Sequence, residues 1–401
     1  MNNDALAPSQ RVRQIQPSPT LRVDTRAKEL KAEGVDIISL GAGEPDYPAP
    51  LHVKEAAIKA VHDDISHYTA VNGFPELRRA IAAKLERDNN LKYSPDEILV
   101  SVGGKHALYN AFMALVNPGD EVIIPAPYWV SYPEQVRLAE GVPVFVETDP
   151  AAGFRLDPQA LADAVTPRTK GLVLNSPNNP TGAVYSPEDL EAIAEVARAH
   201  DLWVISDEIY ERLIYDGLQQ VSIATFPGMW ERTIVINGFS KAYALTGWRL
   251  GYAAGPQPII KAMATLQGHV TSNAASLVQA AGIAALEGPQ EPIDAMVADY
   301  AGRRQLVLSK LASMPGITCQ RPGGAFYVFP DVSGLMGKTL AGRTIDSSNT
   351  LAEILLEEAR VAVVPGEGFG APGYIRISYA TSREELTEAL GRIAAALARI
   401  E

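Results

Sequence analysis

The chain has 401 residues, 47% of them hydrophobic and 20% charged, which suits an ordinary globular core and excludes the composition of a disordered chain. Thirty-five Lys and Arg against 47 Asp and Glu leave a net charge of −12, so the basic field that captures nucleic acid or an anionic membrane is missing. The single cysteine, Cys319, excludes an internal disulfide and a thiolate metal cluster; the sequence predicts a metal-free protein of the reducing cytoplasm.

At about 150 residues per domain, the length allows two to three domains. Residues 1–16 form a polar leader with Arg11 and Arg13 but no apolar segment, and no run approaches the roughly eighteen apolar residues of a membrane span. Secretion and membrane insertion are therefore not expected. Helical-period segments at 75–89 and 187–200 then interleave with short apolar runs at 97–102, 121–124, 142–146, 171–174, 202–205 and 233–236. This is the pattern of an α/β sheet with parallel strands, buried on both faces by helical crossovers. Turn chemistry is expected at Asn117-Pro118-Gly119-Asp120, at Asn178-Asn179-Pro180-Thr181-Gly182 and at Asn237-Gly238. Ligands of open α/β sheets bind beyond the carboxyl ends of the strands, so these places are candidates for a site. From about residue 257 the pattern turns helical, at 256–268, 276–286 and 292–311. Short strands follow near 325–329, 361–364 and 374–378, then an amphipathic helix at 384–399, as in a smaller α+β domain.

The most informative stretch runs Asn237-Gly238-Phe239-Ser240-Lys241-Ala242-Tyr243-Ala244-Leu245-Thr246-Gly247-Trp248-Arg249. A lysine at a strand end among apolar and aromatic residues is placed where desolvation lowers its pKa and makes it a Schiff-base nucleophile. Arg249 then suits a phosphate, which its guanidinium grips with two hydrogen bonds. The alternative is a solvated loop lysine and a surface ion-pair arginine. Two further motifs follow apolar strands and emerge at the same sheet edge: Asn175-Ser176-Pro177-Asn178-Asn179-Pro180-Thr181-Gly182 and Val204-Ile205-Ser206-Asp207-Glu208-Ile209-Tyr210.

On these three motifs, in this order, the sequence resembles the fold-type I pyridoxal 5′-phosphate enzymes, specifically the class I aminotransferases, from about Ser18 to about Leu397. The resemblance implies a large domain with a mostly parallel sheet flanked by helices and a smaller α+β domain built from both chain ends. Residues 1–50 would be the N-terminal segment and part of the small domain, 51–288 the large cofactor-binding domain and 289–401 the small C-terminal domain. It also implies transamination by a ping-pong mechanism in a homodimer with composite active sites. The substrates would be an amino acid, L-aspartate first, and 2-oxoglutarate.

Residue by residue, the resemblance makes Lys241 the catalytic lysine. Asp207 would be the carboxylate that keeps the cofactor ring nitrogen protonated, its alternative being a helix N-cap. Asn179 and Tyr210 would hydrogen-bond the ring's phenolic oxygen, the alternatives being a turn asparagine and a core tyrosine. Gly103, Gly104 and Lys105 match the loop whose backbone N–H groups face the phosphate at a helix N-terminus, with Ser240 and Arg249 beside it. Trp129 matches the aromatic stacked on the ring, and Tyr68 the tyrosine that reaches the phosphate of the other subunit. For the substrate, Arg376 matches the partner of the α-carboxylate, with a permanent ion pair to an Asp or Glu as its alternative, and Gly43 the glycine lining the same group. Gly238 departs from the better-known animal and enteric enzymes, which carry a serine there. Nor does 267–276 match the second arginine that those enzymes use. Instead Lys105 with Ser18 and Thr20 fits a bacterial subgroup that reads the distal carboxylate with a lysine and hydroxyls, and that includes prephenate aminotransferases.

Other readings of the same chain are an aromatic amino acid aminotransferase, a lyase acting at the substrate Cα, the effector domain of a transcription regulator, and an inactive scaffold. The regulator requires a helix-turn-helix module, which the few residues before Ser18 are not expected to hold. Retention of Lys241, Asp207, Asn179 and Arg249 together argues against the scaffold.

Overall fold

The structure, a computed structural model, describes residues 7–401; of the expected leader, residues 1–6 lie outside the described residues. The rest of that leader is not featureless. The Ser9 side chain caps a short helix, α1 (Gln10–Arg13), and the Ser18 side chain accepts from the Leu21 amide to open α2 (Pro19–Ala32), whose first-turn proline is preset for a helix. Strand β1 (Ile38–Ser39) follows.

Helices α3 (Leu51–His62) and α4 (Pro75–Asn89) lead into the main sheet. Its strands and crossovers run β2 (Ile98–Ser101), α5 (Gly104–Leu115), β3 (Glu121–Ala126), α6 (Ser131–Leu138), β4 (Val142–Glu147), α7 (Pro158–Asp163), β5 (Thr169–Asn175), α8 (Pro187–Ala199), β6 (Trp203–Asp207), β7 (Thr233–Gly238) and β8 (Gly251–Ala254). The seven strands lie in the order β2-β8-β7-β6-β5-β3-β4. Pairing is parallel from β4 through β7, whereas β8 runs antiparallel to both β7 and β2.

Alternation along each strand explains why helices cover both faces. In β5, Leu172 and Leu174 enter the cluster that holds Leu190 and Ile193 of α8, while Val173 points to the opposite face with Ala107, Leu108 and Ala111 of α5. A capping box between Ser186 and Asp189 starts α8, so its apolar face meets the sheet in register. Truncating fully buried Ile193 to alanine would cost about 2–5 kcal/mol.

The expectation of a turn at Asn237-Gly238 is corrected: both residues belong to β7, paired with Tyr252 and Gly251 of β8. A Cβ on Gly238 would stand 2.9 Å from the Gly251 Cα and 3.0 Å from the Leu250 carbonyl, so glycine here permits a close approach of strands.

Beyond the sheet come α9 (Gln257–Val270), α10 (Ser276–Glu287) and α11 (Glu291–Leu311), strand β9 (Tyr327–Val328), the hairpin β10 (Thr339–Leu340) and β11 (Arg343–Thr344), and α12 (Ser348–Glu358). Strands β12 (Val361–Ala362), β13 (Val364–Pro365) and β14 (Ile375–Ser378) precede α13 (Arg383–Leu397). The order β13-β14-β9 makes a three-stranded antiparallel sheet, and β1 pairs in parallel with β12. Residues near both ends of the chain thus share one layer beside the carboxyl edge of the main sheet.

Candidate active site

At that edge lies a cavity of about 380 Å³. Of the residues singled out in the sequence, Thr20, Gly43, Gly104, Lys105, Trp129, Asn179, Asp207, Tyr210, Ser240, Lys241, Arg249 and Arg376 line it. Three are placed elsewhere. Gly103 lies just behind the wall. Ser18 borders a neighbouring cavity, its hydroxyl engaged as the cap of α2 and 2.9 Å from the Thr20 hydroxyl. Tyr68 is 90% exposed and takes no part in the cavity of its own chain.

Lys241 follows β7 and reaches the cavity, where Nζ donates to the Gly43 carbonyl. Its Nζ stands 5.7 Å from the ring centroids of both Tyr210 and Phe326. Burial lowers its pKa to about 8, with the Arg376 charge acting in the same direction and Glu44 opposing. A lysine in that range holds a useful fraction of neutral, nucleophilic amine near neutral pH.

Asp207 ends β6. The Tyr132 hydroxyl donates to its Oδ2 over 2.7 Å and the Ile209 amide to its Oδ1 over 3.2 Å, while burial raises its pKa to about 6 against the effect of these donors. Its Oδ1 therefore closes a local turn rather than capping a helix, since no helix starts directly after β6, while Oδ2 is held from across the cavity. Tyr132 was missed in the sequence; its only signal is its place three residues after Trp129, whose ring meets it edge-on at 5.4 Å. Tyr327 was missed too: its hydroxyl lies 2.9 Å from that of Tyr210, and burial pushes both phenols above their ordinary range.

Arg376, on β14, is 2% exposed. One terminal nitrogen donates to Asn179 Oδ1 over 2.9 Å and the other to the Gly41 carbonyl over 2.8 Å, the Tyr327 ring lies 4.4 Å from its guanidinium, and Nε has no partner. None of these partners is a carboxylate. A buried cation held by neutral oxygens, with a donor to spare, is a site that gains from an incoming anion.

A second anion position forms around Arg249. This residue adopts a left-handed conformation, φ 56°, and donates to the Thr246 carbonyl over 2.8 Å. A Cβ on Gly103, φ 81°, would stand 2.6 Å from a terminal nitrogen of Arg249, so glycine there lets the guanidinium lie against the start of α5. The N–H groups that open α5 and the buried Ser240 complete a positive corner. Lys105, one residue into α5, holds Nζ 4.8 Å from the Trp129 ring centroid, and burial, then Arg249, lowers its pKa. A buried nucleophilic amine, a carboxylate whose side-chain partner is a tyrosine, and two anion positions can together hold a phosphorylated carbonyl compound and a carboxylate-bearing amine.

Among the described residues no helix is long and apolar enough to cross a membrane, and no group of three or more His, Cys, Asp and Glu stands ready to hold a metal ion.

Comparison with known proteins gives these residues a context. The family model for aminotransferase class I and II matches residues 35–393. An aspartate aminotransferase of Geobacillus stearothermophilus is 51% identical over 387 residues, 96% of this chain and 97% of that protein. An aspartate/prephenate aminotransferase of Cereibacter sphaeroides is 51% identical over 384 residues, 95% of this chain and 96% of that protein. Among solved structures, the aspartate aminotransferase from Rhizobium meliloti aligns with a TM-score of 0.96 at 47% identity, covering 99% of this chain and all of that one (100%). The Thermus thermophilus aspartate aminotransferase with maleate aligns with a TM-score of 0.91 at 48% identity, covering 98% of this chain and 100% of that one.

Proposed function

The chain belongs to the class I and II aminotransferase family, and on that premise we propose that it moves the amino group of L-aspartate to 2-oxoglutarate, giving oxaloacetate and L-glutamate in a ping-pong cycle. The observation that carries this reading is Arg376, a buried cation with neutral partners only, in one cavity with the softened amine of Lys241.

The residues present fit pyridoxal phosphate. Arg249, Ser240 and the N–H groups opening α5 offer a seat for its phosphate, and Asp207 offers a buried carboxylate to a protonated ring nitrogen. Tyr210 and Asn179 supply polar atoms to the phenolic oxygen, and Trp129 an aromatic face. Bound there, pyridoxal phosphate supplies an aldehyde carbon and an electron-accepting ring that weakens the bonds at the substrate Cα.

The chain's own residues do the rest. Lys241 Nζ would hold the cofactor by its aldehyde carbon and, as a free amine beside the bound substrate, would accept the proton from the substrate Cα and deliver it to that aldehyde-derived carbon. Arg376 grips the α-carboxylate, with Asn179 fixing the guanidinium and the Gly43 backbone lining the same seat. Lys105 and Thr20 read the distal carboxylate of a dicarboxylic substrate, and Trp129 beneath Lys105 keeps its ammonium in place. Ser18 acts through Thr20 and the start of α2.

The enzyme works as a cytoplasmic homodimer in which Tyr68 of the partner subunit completes the phosphate seat. Exposed Leu51, Ile58, Val61, Tyr68 and Val270 support that assembly, since such apolar side chains favour cover. The chain divides at 1–50, 51–288 and 289–401 into an N-terminal segment with part of the small domain, a large cofactor-binding domain and the rest of the small domain.

A half-reaction panel tests the reading. Holoenzyme is mixed separately with aspartate, glutamate, alanine, phenylalanine and arogenate, and the cofactor absorbance is followed. Aspartate should bleach it and added 2-oxoglutarate should restore it, whereas bleaching that no 2-oxo acid reverses would point to a lyase. The name of the Cereibacter sphaeroides relative favours a second reading, amino transfer to prephenate, for which arogenate should bleach as fast as aspartate.

A further inference from the structure

Between α3 and α4 a surface loop, 66–74, carries Tyr68. A loop that faces water can leave its backbone groups to water, yet this one is fastened from beneath by side chains of helices much later in the chain. Gln279 of α10, fully buried, accepts from the Phe74 amide over 2.7 Å and donates to Thr69 Oγ1 over 3.2 Å and to the Ala274 carbonyl over 2.7 Å. Gln267 of α9, equally buried, donates to the Val71 and Val100 carbonyls, each over 2.9 Å, and accepts from Asn110 Nδ2 over 3.0 Å. The Val100 amide in turn donates to the Asn72 carbonyl over 3.2 Å. At Gly73, φ +96°, a Cβ would stand 2.6 Å from Val100 Cγ2 and 3.1 Å from Gln279 Oε1, so the backbone sits directly on the clamp.

Two buried amides, each with three hydrogen bonds, fix the loop at Thr69, Val71 and Phe74. The large side chain it presents is Tyr68, 90% exposed. Burying amides here in place of leucines gains little stability, because each hydrogen bond made replaces one to water. What the arrangement does provide is a single loop conformation. We propose that Gln279 and Gln267 are positioning residues that hold Tyr68 at the fixed height and angle needed to meet the cofactor phosphate in a partner subunit. This rests on the composite site of the proposed dimer.

The test reads the affinity of apoenzyme for pyridoxal phosphate, with borohydride trapping to report the lysine-bearing sites alone. Tyr68→Phe and Gln279→Leu should each weaken binding about tenfold, and together by about the same factor, since both remove one contact. Thr69→Val, which touches only the loop side of the clamp, should weaken it less, with Thr69→Ser restoring it; this pair carries the test if Gln279→Leu does not fold. Hybrid dimers decide direction. A Lys241→Ala subunit paired with a Gln279→Leu subunit has one lysine-bearing site facing an intact loop and should bind like wild type. A Lys241→Ala/Gln279→Leu subunit paired with wild type should stay about tenfold weak. Equal affinity in the two hybrids would overturn the proposal, as would unchanged binding in both Gln279→Leu and Thr69→Val while Tyr68→Phe is weakened, which leaves the composite site standing. Unchanged binding by Tyr68→Phe, or a monomer in sedimentation, overturns the composite site and this inference with it.

Discussion

The Tyr132 hydroxyl donates to Asp207 Oδ2 over 2.7 Å and lowers the cost of a negative charge that burial otherwise raises. Tyr132 stands at the start of α6 and Asp207 at the end of β6, so a crossover helix tunes the acid at the sheet edge.

Removing that donor should make Asp207 harder to ionise. In Tyr132→Phe its pKa should move up from about 6, so cofactor affinity, which needs the carboxylate, should begin to fall at a higher pH than in wild type. A titration of apoenzyme between pH 5 and 9 checks this. An unchanged profile would remove Tyr132 from the site, and Asp207→Asn should abolish the step near pH 6 while leaving the lysine's rise toward 8.

Arg376 acts on Lys241 through space. Its charge helps to hold the lysine near pKa 8, so the rate of cofactor capture by apoenzyme should rise with pH and level off above about 8. In Arg376→Leu the lysine keeps its proton longer, and the rise should shift to higher pH. Arg376→Lys keeps the charge but loses the fork that spans Asn179 and Gly41, so the KM for both amino acid and 2-oxo acid should increase roughly tenfold to a hundredfold. Steady-state kinetics separate the two effects.

Lys105 and Trp129 bear on side-chain choice. Lys105→Ala should lower kcat/KM for aspartate by about tenfold or more and leave phenylalanine much less affected, because only the former brings a second carboxylate. Equal losses would count against distal-carboxylate recognition.

Glu208 concerns stability alone. It is buried beside Asp207 and one oxygen accepts from Ser206 Oγ over 2.9 Å; burial raises its pKa from 4.5 to about 7, against the opposing effect of the Ser222 and Ser206 hydroxyls. Below 4.5 folded and unfolded chains are both protonated there. As pH rises toward 7 the unfolded chain ionises first, so the folded state loses stability on the order of 3 kcal/mol across that window. Glu208→Gln should therefore gain on wild type as pH rises from 4.5 to 7 in denaturant melts, with the gap closing at low pH.

Most sheet strands were legible because they carry short runs of apolar, often β-branched residues, buried in β2, β3, β5, β6 and β7 but largely exposed in the edge strand β4, and Asn179, Asp207 and Lys241 because each sits at or just past the end of such a run. The antiparallel β8 was not: its Gly251-Tyr252-Ala253-Ala254 has no period to mark it, and what makes it a strand is the gap that glycines leave beside β7. Helix α2, just past the polar leader, was not legible because it has no broad apolar stripe, resting on β12 and β13 through a few residues such as Ala27. Tyr132, Tyr327 and the two clamping glutamines carry no local signal at all, since their roles come from partners distant in sequence. Arg376 was found by its apolar neighbours, but only the fold reveals that its partners are Asn179 and a backbone carbonyl.

The hydrogen bond from Arg376 to the Gly41 carbonyl joins positions 335 residues apart in the chain. The proposed carboxylate seat therefore cannot form in a fragment that lacks either residue 41 or strand β14, nor in a nascent polypeptide until β14 has left the ribosome. During refolding, the return of turnover should therefore report the closure of the chain upon itself, trailing the far-ultraviolet signal of the helices.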